Sequence, residues 1–209
     1  MINQENIISK SLLAGISISI AGYINLLCVN KFIAAFLFAA GLLSCCQFKL
    51  NLFTGKSGFL SNTNDFRRLT LVLILNLFGA YVFGILATFA NDSITSAANI
   101  IVQNRINTSI FSIMISAIVT GFLMTLAIES ESKEHANHLI LIFCVAAFIL
   151  SGSPHCIADM FYYSASSITF NNLLFILPRL ILTILFNFIG CNLYNLFVNK
   201  SFIHNTNYN

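Results

Sequence analysis

The chain has 209 residues, of which 57% are hydrophobic and only 8% are charged. A soluble domain carries about 25% charged residues, so this composition excludes a water-soluble globular protein, and the mean hydropathy of +0.86 agrees. The net charge of +3 comes from basic residues spread along the chain, which gives no indication of nucleic-acid binding. Length and composition therefore predict a single membrane domain over residues 1–209.

Six apolar runs follow one another along the chain. A helix needs about 20 apolar residues to cross the hydrocarbon layer of a bilayer, so each run predicts a transmembrane helix. The segment 91–106 is amphipathic and is expected to form a short interfacial helix. The predicted fold class is an all-α membrane protein with six transmembrane helices, at approximately 11–29, 32–53, 69–90, 107–128, 138–165 and 172–198.

The distribution of lysine and arginine predicts the orientation of these helices, because cytoplasmic loops carry an excess of both residues. If the N-terminus is inside, the cytoplasmic loops hold Lys10, Lys56, Arg67, Arg68, Lys133 and Lys200. The opposite side holds only Lys31, Arg105 and Arg179. We therefore expect both termini in the cytoplasm.

The second and fifth runs are interrupted, the second at residues 52–58 (LFTGKSG) and the fifth at residues 151–155 (SGSPH). Each is the middle helix of a three-helix half. Broken helices in corresponding positions of two halves are typical of inverted repeats that bind a solute at mid-membrane. This pattern predicts an aquaporin-like arrangement with broken second and fifth helices.

His155 is the first candidate site residue, because an ionisable group deep in an apolar run is costly unless it has a function or a partner. Ser153 is expected to cap a new half-helix and Pro154 to occupy its first position. His155 then lies in the first turn, where unpaired N–H groups attract anions and disfavour imidazolium. The alternative is a buried histidine that is bonded to a neighbour and has no role in transport.

Two further charged residues lie in apolar surroundings. Asp159 shares a helix face with His155, and it either pairs with His155, Lys49 or Arg179 or acts directly as a neutral acid. Lys49 either extends to the cytoplasmic interface or lines an inner vestibule and concentrates anions there.

Phe53, Thr54 and Gly55 supply a hydroxyl group within the first break, where a threonine could donate to a permeating anion or to His155. Phe38, Leu42 and Phe148 are candidates for hydrophobic constrictions that gate by excluding water. Their alternative role is ordinary packing within the bundle or against lipid.

No pattern in the sequence indicates an enzyme or a cofactor. There is no GxSxG, HExxH or P-loop sequence, and the six cysteines lie in apolar runs without CxxC spacing. The charged segment 129–138 is interpreted as a solvated loop rather than a metal site. We expect no metal, no cofactor and no enzymatic activity.

Five segments, in order across nearly the whole chain, resemble the formate/nitrite transporter family. GLLSCCQFKLNLFTGKSG is similar to the family pattern that ends in an acidic residue and L-F-T-G, and SGSPHCIADMF is similar to G-F-E-H-S-x-A-N-M-F. FNFIGCNL resembles G-N-x-x-G-G. AGISISIAGYI and ILNLFG, with Asn76 and Gly79, resemble the segments of the first and third helices.

This resemblance implies an aquaporin-like protomer in a homopentamer that passes small monovalent weak-acid anions such as formate, nitrite, lactate, acetate or hydrosulfide. It places His155 on the central histidine and Thr54 on the nearby loop threonine. The implied constrictions and last-motif residues are Phe38, Leu42 and Leu52 on the cytoplasmic side, Phe148 on the outer side, and Asn187 with Gly190.

The chain also departs from the family pattern. Pro154 replaces the glutamate before the histidine, and Asp159 replaces the following asparagine. Asn51 replaces the acid before L-F-T-G. The fourth-helix asparagine corresponds to Ser116, and Cys191 replaces the second glycine of the last motif. These departures mean that the proton pathway need not be the same.

The predicted function is proton-linked transport of a small monovalent anion through a multi-pass protein of a bacterial-type inner membrane. A bare anion in a dry constriction costs several kcal/mol, so sharing a proton through His155 would let the solute cross uncharged. The alternatives are a pore for neutral solutes on the same fold, or a membrane scaffold subunit that transports nothing.

Overall fold

The computed structural model describes residues 6–60, 63–131, 136–167 and 170–197. Within these ranges the chain forms helices and no strand, which confirms the all-α prediction. The predicted charged residues Lys133, Glu134, His135 and Lys200 lie outside the described residues. The helices are α1 (Ile7–Leu27), α2 (Lys31–Gln47), α3 (Phe53–Ser57), α4 (Thr63–Ala90), α5 (Ser93–Asn107), α6 (Ile110–Glu131), α7 (His138–Leu150), α8 (Cys156–Ala165) and α9 (Phe170–Phe197).

The helices match the apolar runs in position but not at their ends. α4 begins at Thr63 rather than at the predicted residue 69, and α6 continues to Glu131 rather than ending at residue 128. Helical hydrogen bonding extends into the polar turns at the membrane surface, whereas hydropathy detects only the part that lies in hydrocarbon.

Four helices, α1, α4, α6 and α9, are long and apolar enough to cross a membrane, while α2 and α7 are shorter. Large apolar side chains face outward along them. Phe89 on α4 is 83% exposed and Phe111 on α6 is 71% exposed. A soluble protein would not present so many such residues to water, so the chain is a multi-pass membrane protein.

The closest helix pairs are α1 with α4 and α6 with α9. A Cβ atom on Gly79 of α4 would lie 2.6 Å from the carbonyl oxygen of Leu12. A Cβ atom on Gly190 of α9 would likewise clash with the carbonyl oxygen of Ile118 on α6. Small residues let membrane helices approach this closely. The interrupted helices pack against these two pairs.

The chain between α2 and α3 and between α7 and α8 leaves helical geometry. Lys49 has a φ of 51° after α2, and Gly152 has a φ of 65° after α7. After each break a short helix begins inside the bundle, because residues of α3 and α8 such as Thr54 and Cys156 are fully buried. These two short helices position the candidate site.

The amphipathic segment predicted at residues 91–106 forms α5, and α9 holds its C-terminal end. The Arg179 side chain donates to the carbonyl oxygens of Arg105 at 2.8 Å, Ile106 at 2.6 Å and Thr108 at 3.4 Å. The last carbonyls of a helix have no partner within it, so this cation satisfies them. The contact fixes the C-terminal end of α5 against α9.

Candidate functional site

His155 lies immediately before α8 and acts as its N-cap. Its backbone is extended, with φ −126° and ψ 116°. The Nδ1 atom accepts a hydrogen bond from the backbone N–H of Ala158 at 3.3 Å. The prediction that Ser153 caps this helix was wrong, because the imidazole takes that role and the Ser153 hydroxyl bonds to the Ser151 hydroxyl at 2.8 Å instead.

The second nitrogen of the imidazole contacts the first break. His155 Nε2 lies 2.9 Å from Thr54 Oγ1, and both side chains are almost completely buried. Because Nδ1 accepts the capping bond, the hydrogen of a neutral imidazole resides on Nε2 and is donated to the threonine oxygen. The bond joins α3 to the start of α8.

Asn187 of α9 holds the N-terminus of α8. Its Oδ1 accepts from the backbone N–H of Cys156 at 3.0 Å. Its Nδ2 donates to the carbonyl oxygen of Pro154 at 3.2 Å and to that of Ala117 on α6 at 2.8 Å. A broken helix inside a membrane needs such partners for its freed backbone groups.

Asn76 of α4 holds the N-terminus of α3 with the same pattern of bonds. Its Oδ1 accepts from the backbone N–H of Phe53 at 2.7 Å. Its Nδ2 donates to the carbonyl oxygens of Asn51 at 2.9 Å and of Ser11 on α1 at 2.7 Å. Each asparagine therefore serves the first N–H of a short helix, a carbonyl two residues earlier and a carbonyl on a neighbouring long helix.

A narrow apolar cavity, called the slit below, borders His155 on one side. Its lining has no polar surface apart from the imidazole, and it is too narrow to hold a water molecule. Phe148 stacks on the His155 ring with centroids 5.6 Å apart and meets Phe38 edge-on at 5.8 Å. The lining residues are Ile18, Phe38, Leu42, Met124, Val145, Phe148 and His155.

Phe38, Leu42 and Phe148, predicted as constriction residues, thus line the slit together with the imidazole. Leu52 and Phe53 are also buried, at 1% and 4% exposure. Leu52 is the N-cap residue of α3, and Phe53 is its first residue. Neither residue lines the slit. Both are packed in the bundle where α3 begins, next to Thr54.

A larger cavity, called the vestibule below, borders His155 on the other side. It has a volume of about 310 Å³ and lies between α5, the break after α7, and α8. Lys31, Asn104 and Arg105 line it together with Asp159 and Tyr162. His155 and Phe148 belong to the linings of both cavities, so they form the boundary between a polar space and a dry one.

Asp159 pairs with Arg105, which was not among its predicted partners. Oδ1 of Asp159 accepts from Arg105 Nε at 3.2 Å and from Nη2 at 3.1 Å. The same guanidinium donates to the carbonyl oxygens of Gly152 at 2.5 Å and Ser153 at 3.2 Å. The pairing predicted with His155, Lys49 or Arg179 was wrong. The last turn of α5 lies against the break after α7 and places Arg105 beside Asp159.

Lys49 is exposed and lies in the turn after α2. It is absent from the linings of the slit and the vestibule.

Sequence reasoning missed Arg105, Tyr162, Ile18 and Met124 as site residues. Arg105 was used only to predict the membrane orientation. It lies on the same face of α5 as the buried residues Ile94, Ala98 and Val102, and an arginine on the buried face of a helix indicates a partner inside the protein. Ile18 and Met124 resemble every other apolar residue of their helices, so no sequence signal distinguishes them.

Comparison with known proteins identifies the family of this chain. A family model described as "Formate/nitrite transporter" matches residues 2–199. The chain belongs to the formate/nitrite transporter family. Among curated proteins, none matches it.

Two solved structures of this family's fold resemble the chain. One, described as a pentameric formate channel with formate bound, has a TM-score of 0.76 at 24% identity, with 92% of this chain and 96% of that chain covered. Another, described as an FNT family ion channel, has a TM-score of 0.78 at 19% identity, with 97% and 90% covered. Family membership confirms the predicted resemblance and the prediction that this chain is a transporter-family protein and not an enzyme.

Proposed function

We propose that this formate/nitrite transporter family member carries small monovalent weak-acid anions, of the formate or nitrite class, across the membrane together with protons. The observation that carries the proposal is the position of His155 between the vestibule and the slit, bonded to Thr54. A charged solute cannot cross the dry slit without a large desolvation cost, and His155 is the titratable group at its entrance.

His155 is the proposed site of proton exchange with the solute. The imidazole can accept a proton only at Nδ1, which breaks the bond from Ala158 N–H, and Thr54 then retains the ring by its bond to Nε2. An imidazolium that passes a proton to the anion returns to the neutral form. The net change is one anion and one proton combined as a neutral acid.

The proposed architecture has six membrane spans. α2 with α3 and α7 with α8 would each count as one interrupted span, beside α1, α4, α6 and α9. The equivalent bonding of Asn76 and Asn187 supports two halves related as an inverted repeat, as do the matching glycine contacts of α1 with α4 and α6 with α9.

The proposed assembly is a homopentamer in a bacterial-type inner membrane with both termini in the cytoplasm. One of the similar solved structures is described as pentameric. Among the described residues, Lys10, Lys56, Arg67 and Arg68 lie near the ends of α1, α3 and α4 that would face the cytoplasm. Chemical cross-linking and accessibility of tags on both termini would test these two points.

The test is a panel of formate, nitrite, lactate and hydrosulfide in proteoliposomes with an imposed pH gradient. Uptake of at least one of these anions should rise when the entry side is made acidic. His155→Ala should abolish that pH dependence. Uptake by His155→Ala that matches the unmodified protein at every pH would contradict the proposal.

Two observations also fit a scaffold subunit without transport. The slit is closed to water, and both ring nitrogens of His155 have partners. A scaffold would show no flux for any anion of the panel and no swelling of liposomes with neutral solutes. A neutral-solute pore would show swelling without anion flux, so the same preparation separates all three functions.

A further inference from the structure

We propose that Arg105 is a positioning residue for transport: its guanidinium holds the chain on both sides of His155 and so keeps the imidazole at the boundary between the vestibule and the slit. This inference rests on the proposed function and adds a residue that acts on transport through His155. It follows from the bonds that Arg105 makes before and after the histidine, and from the way in which the end of its own helix is anchored.

The segment between α7 and His155 is held from the vestibule side. Arg105 Nη1 donates to the carbonyl oxygen of Gly152 at 2.5 Å, and Nη2 donates to that of Ser153 at 3.2 Å. A Cβ atom at Gly152 would meet no described atom within 4 Å, and Pro154 has no N–H to donate. The segment therefore has little packing of its own at Gly152, and the guanidinium fixes its two carbonyls.

The same guanidinium also holds the chain after His155. Asp159 Oδ1 accepts from Arg105 Nε at 3.2 Å and from Nη2 at 3.1 Å. The backbone N–H of Asp159 donates in turn to the carbonyl oxygen of His155 at 2.8 Å. Because a guanidinium is planar and its donors have fixed directions, one rigid group sets residues 152–153 and residue 159 relative to each other, with the histidine between them.

The held segment also leads to Phe148. The backbone N–H of Ser153 donates to the carbonyl oxygen of Phe148 at 3.0 Å, and the Phe148 ring stacks on the His155 ring. A shift of residues 152–153 would therefore displace both rings that separate the vestibule from the slit. A small displacement of a reacting group can reduce a rate by a large factor.

The position of Arg105 is itself fixed by a second helix. Arg179 on α9 donates to the carbonyl oxygens of Arg105 and Ile106 at the end of α5, and only 13% of the Arg105 side chain is exposed. The chain of contacts thus runs from α9 through the end of α5 to the break after α7 and the first turn of α8. A group that positions others needs such support.

The experiment measures uptake in proteoliposomes against the concentration of formate, or of whichever anion of the panel above is transported. Arg105→Gln or Asp159→Asn alone leaves a buried charge unpaired, so the test variant carries both changes and keeps the net charge of the vestibule. Its maximal rate per folded protein should be at least about tenfold lower, because the imidazole is displaced. The half-saturating concentration should change by less than about threefold, because entry into the vestibule precedes contact with the imidazole.

A conservative variant and a control locate the effect. Arg105→Lys keeps the charge beside Asp159 but loses the planar group that spans the carbonyls and the carboxylate, so its maximal rate should be about threefold to tenfold lower. The control is Arg68→Gln combined with Asp65→Asn, which removes an Arg–Asp pair 4.0 Å apart at the start of α4. Its maximal rate should equal that of the unmodified protein.

Hydrogen exchange followed by mass spectrometry gives a second measurement, which does not depend on transport. The backbone N–H of Ala158 donates to His155 Nδ1. In the variant with Arg105→Gln and Asp159→Asn, this N–H should exchange at least about tenfold faster than in the unmodified protein, because the imidazole no longer stays in its capping position.

An unchanged maximal rate per folded protein in that double variant would overturn the inference. So would a half-saturating concentration that rises tenfold at an unchanged maximal rate, since Arg105 would then bind the solute. Full activity of Arg105→Lys, or unchanged exchange at Ala158, would also overturn it. Failure of the proposed function is a separate result, because it would appear as normal transport by His155→Ala.

Discussion

Thr54 Oγ1 and His155 Nε2 lie 2.9 Å apart, although the two residues are 101 positions apart in the chain. The bond connects the two short helices that enter the bundle from opposite halves of the sequence. It holds the imidazole at the boundary between the vestibule and the slit.

Replacing Thr54 with valine should slow transport without preventing folding. The change leaves the Nε2 hydrogen of His155 buried without an acceptor, which costs about 1–3 kcal/mol, so uptake of the transported anion should decrease roughly tenfold. Thr54→Ser should retain most activity. Initial rates in proteoliposomes would measure both.

The control for this prediction is Thr120→Val. Thr120 is buried, but its hydroxyl bonds only within its own helix, to the carbonyl oxygen of Ser116 at 3.1 Å. Equal loss of uptake in Thr54→Val and Thr120→Val would indicate a packing effect and not a role for the contact with His155.

Shortening Phe148 should open the slit. Phe148 contacts both His155 and Phe38, so Phe148→Ala removes one wall of the dry region and admits water. Leakage of chloride should increase by about tenfold or more, which corresponds to a barrier lower by ~1.4 kcal/mol. Electrical recording in planar bilayers would detect it.

Phe143→Ala is the matched control on the same helix. Phe143 is 59% exposed and contacts Phe36, away from the slit. If both variants leak equally, or if neither does, the slit is not the barrier to ions.

Removing either supporting asparagine should destabilise the fold by a similar amount. Asn187→Leu leaves Cys156 N–H and two carbonyl oxygens without this partner, and Asn76→Leu does the same around Phe53. We expect a loss of roughly 2–5 kcal/mol for each. Denaturation in mixed micelles, followed by circular dichroism, would measure it.

Asn192→Leu provides a comparison on α9. Asn192 is only partly buried and donates to Ser57 and Phe188 carbonyls, so the loss should be smaller. A smaller loss in Asn187→Leu than in Asn192→Leu would disprove the supporting role.

A methyl group at position 79 should separate α1 from α4. The new Cβ would lie 2.6 Å from the Leu12 carbonyl oxygen, which is backbone and cannot move aside without shifting a helix. Gly79→Ala should therefore lower the thermal midpoint markedly. At Gly152, where space is open but φ is 65°, alanine should cost only about 1 kcal/mol. Equal effects at both positions would contradict the packing argument.

The sequence alone was enough for the all-α fold class, and it selected His155 and Thr54, two residues that the structure brings into contact. A chain with so few charges must place helices in lipid, and the interruptions at residues 52–58 and 151–155 mark the short helices. His155 and Thr54 could be selected because a titratable group and a hydroxyl at such breaks are unusual in an apolar run.

Only the tertiary structure decided how the polar groups pair. Asp159 was predicted either to pair with His155, Lys49 or Arg179 or to act as a neutral acid. The structure pairs it with Arg105, because the end of α5 lies against the break after α7. The capping role of His155 depends on its own extended backbone conformation, which the residue types Ser153 and Pro154 did not reveal.

The physical reason is the range of the forces involved. The hydropathy of a segment and the positions where a helix is interrupted depend on a few neighbouring residues, so both can be predicted from the sequence. The contacts of Asn187 with residues on α6 and before α8, and of Arg105 with Asp159, join segments that approach only after the helices have packed. Their geometry is therefore a property of the assembled bundle.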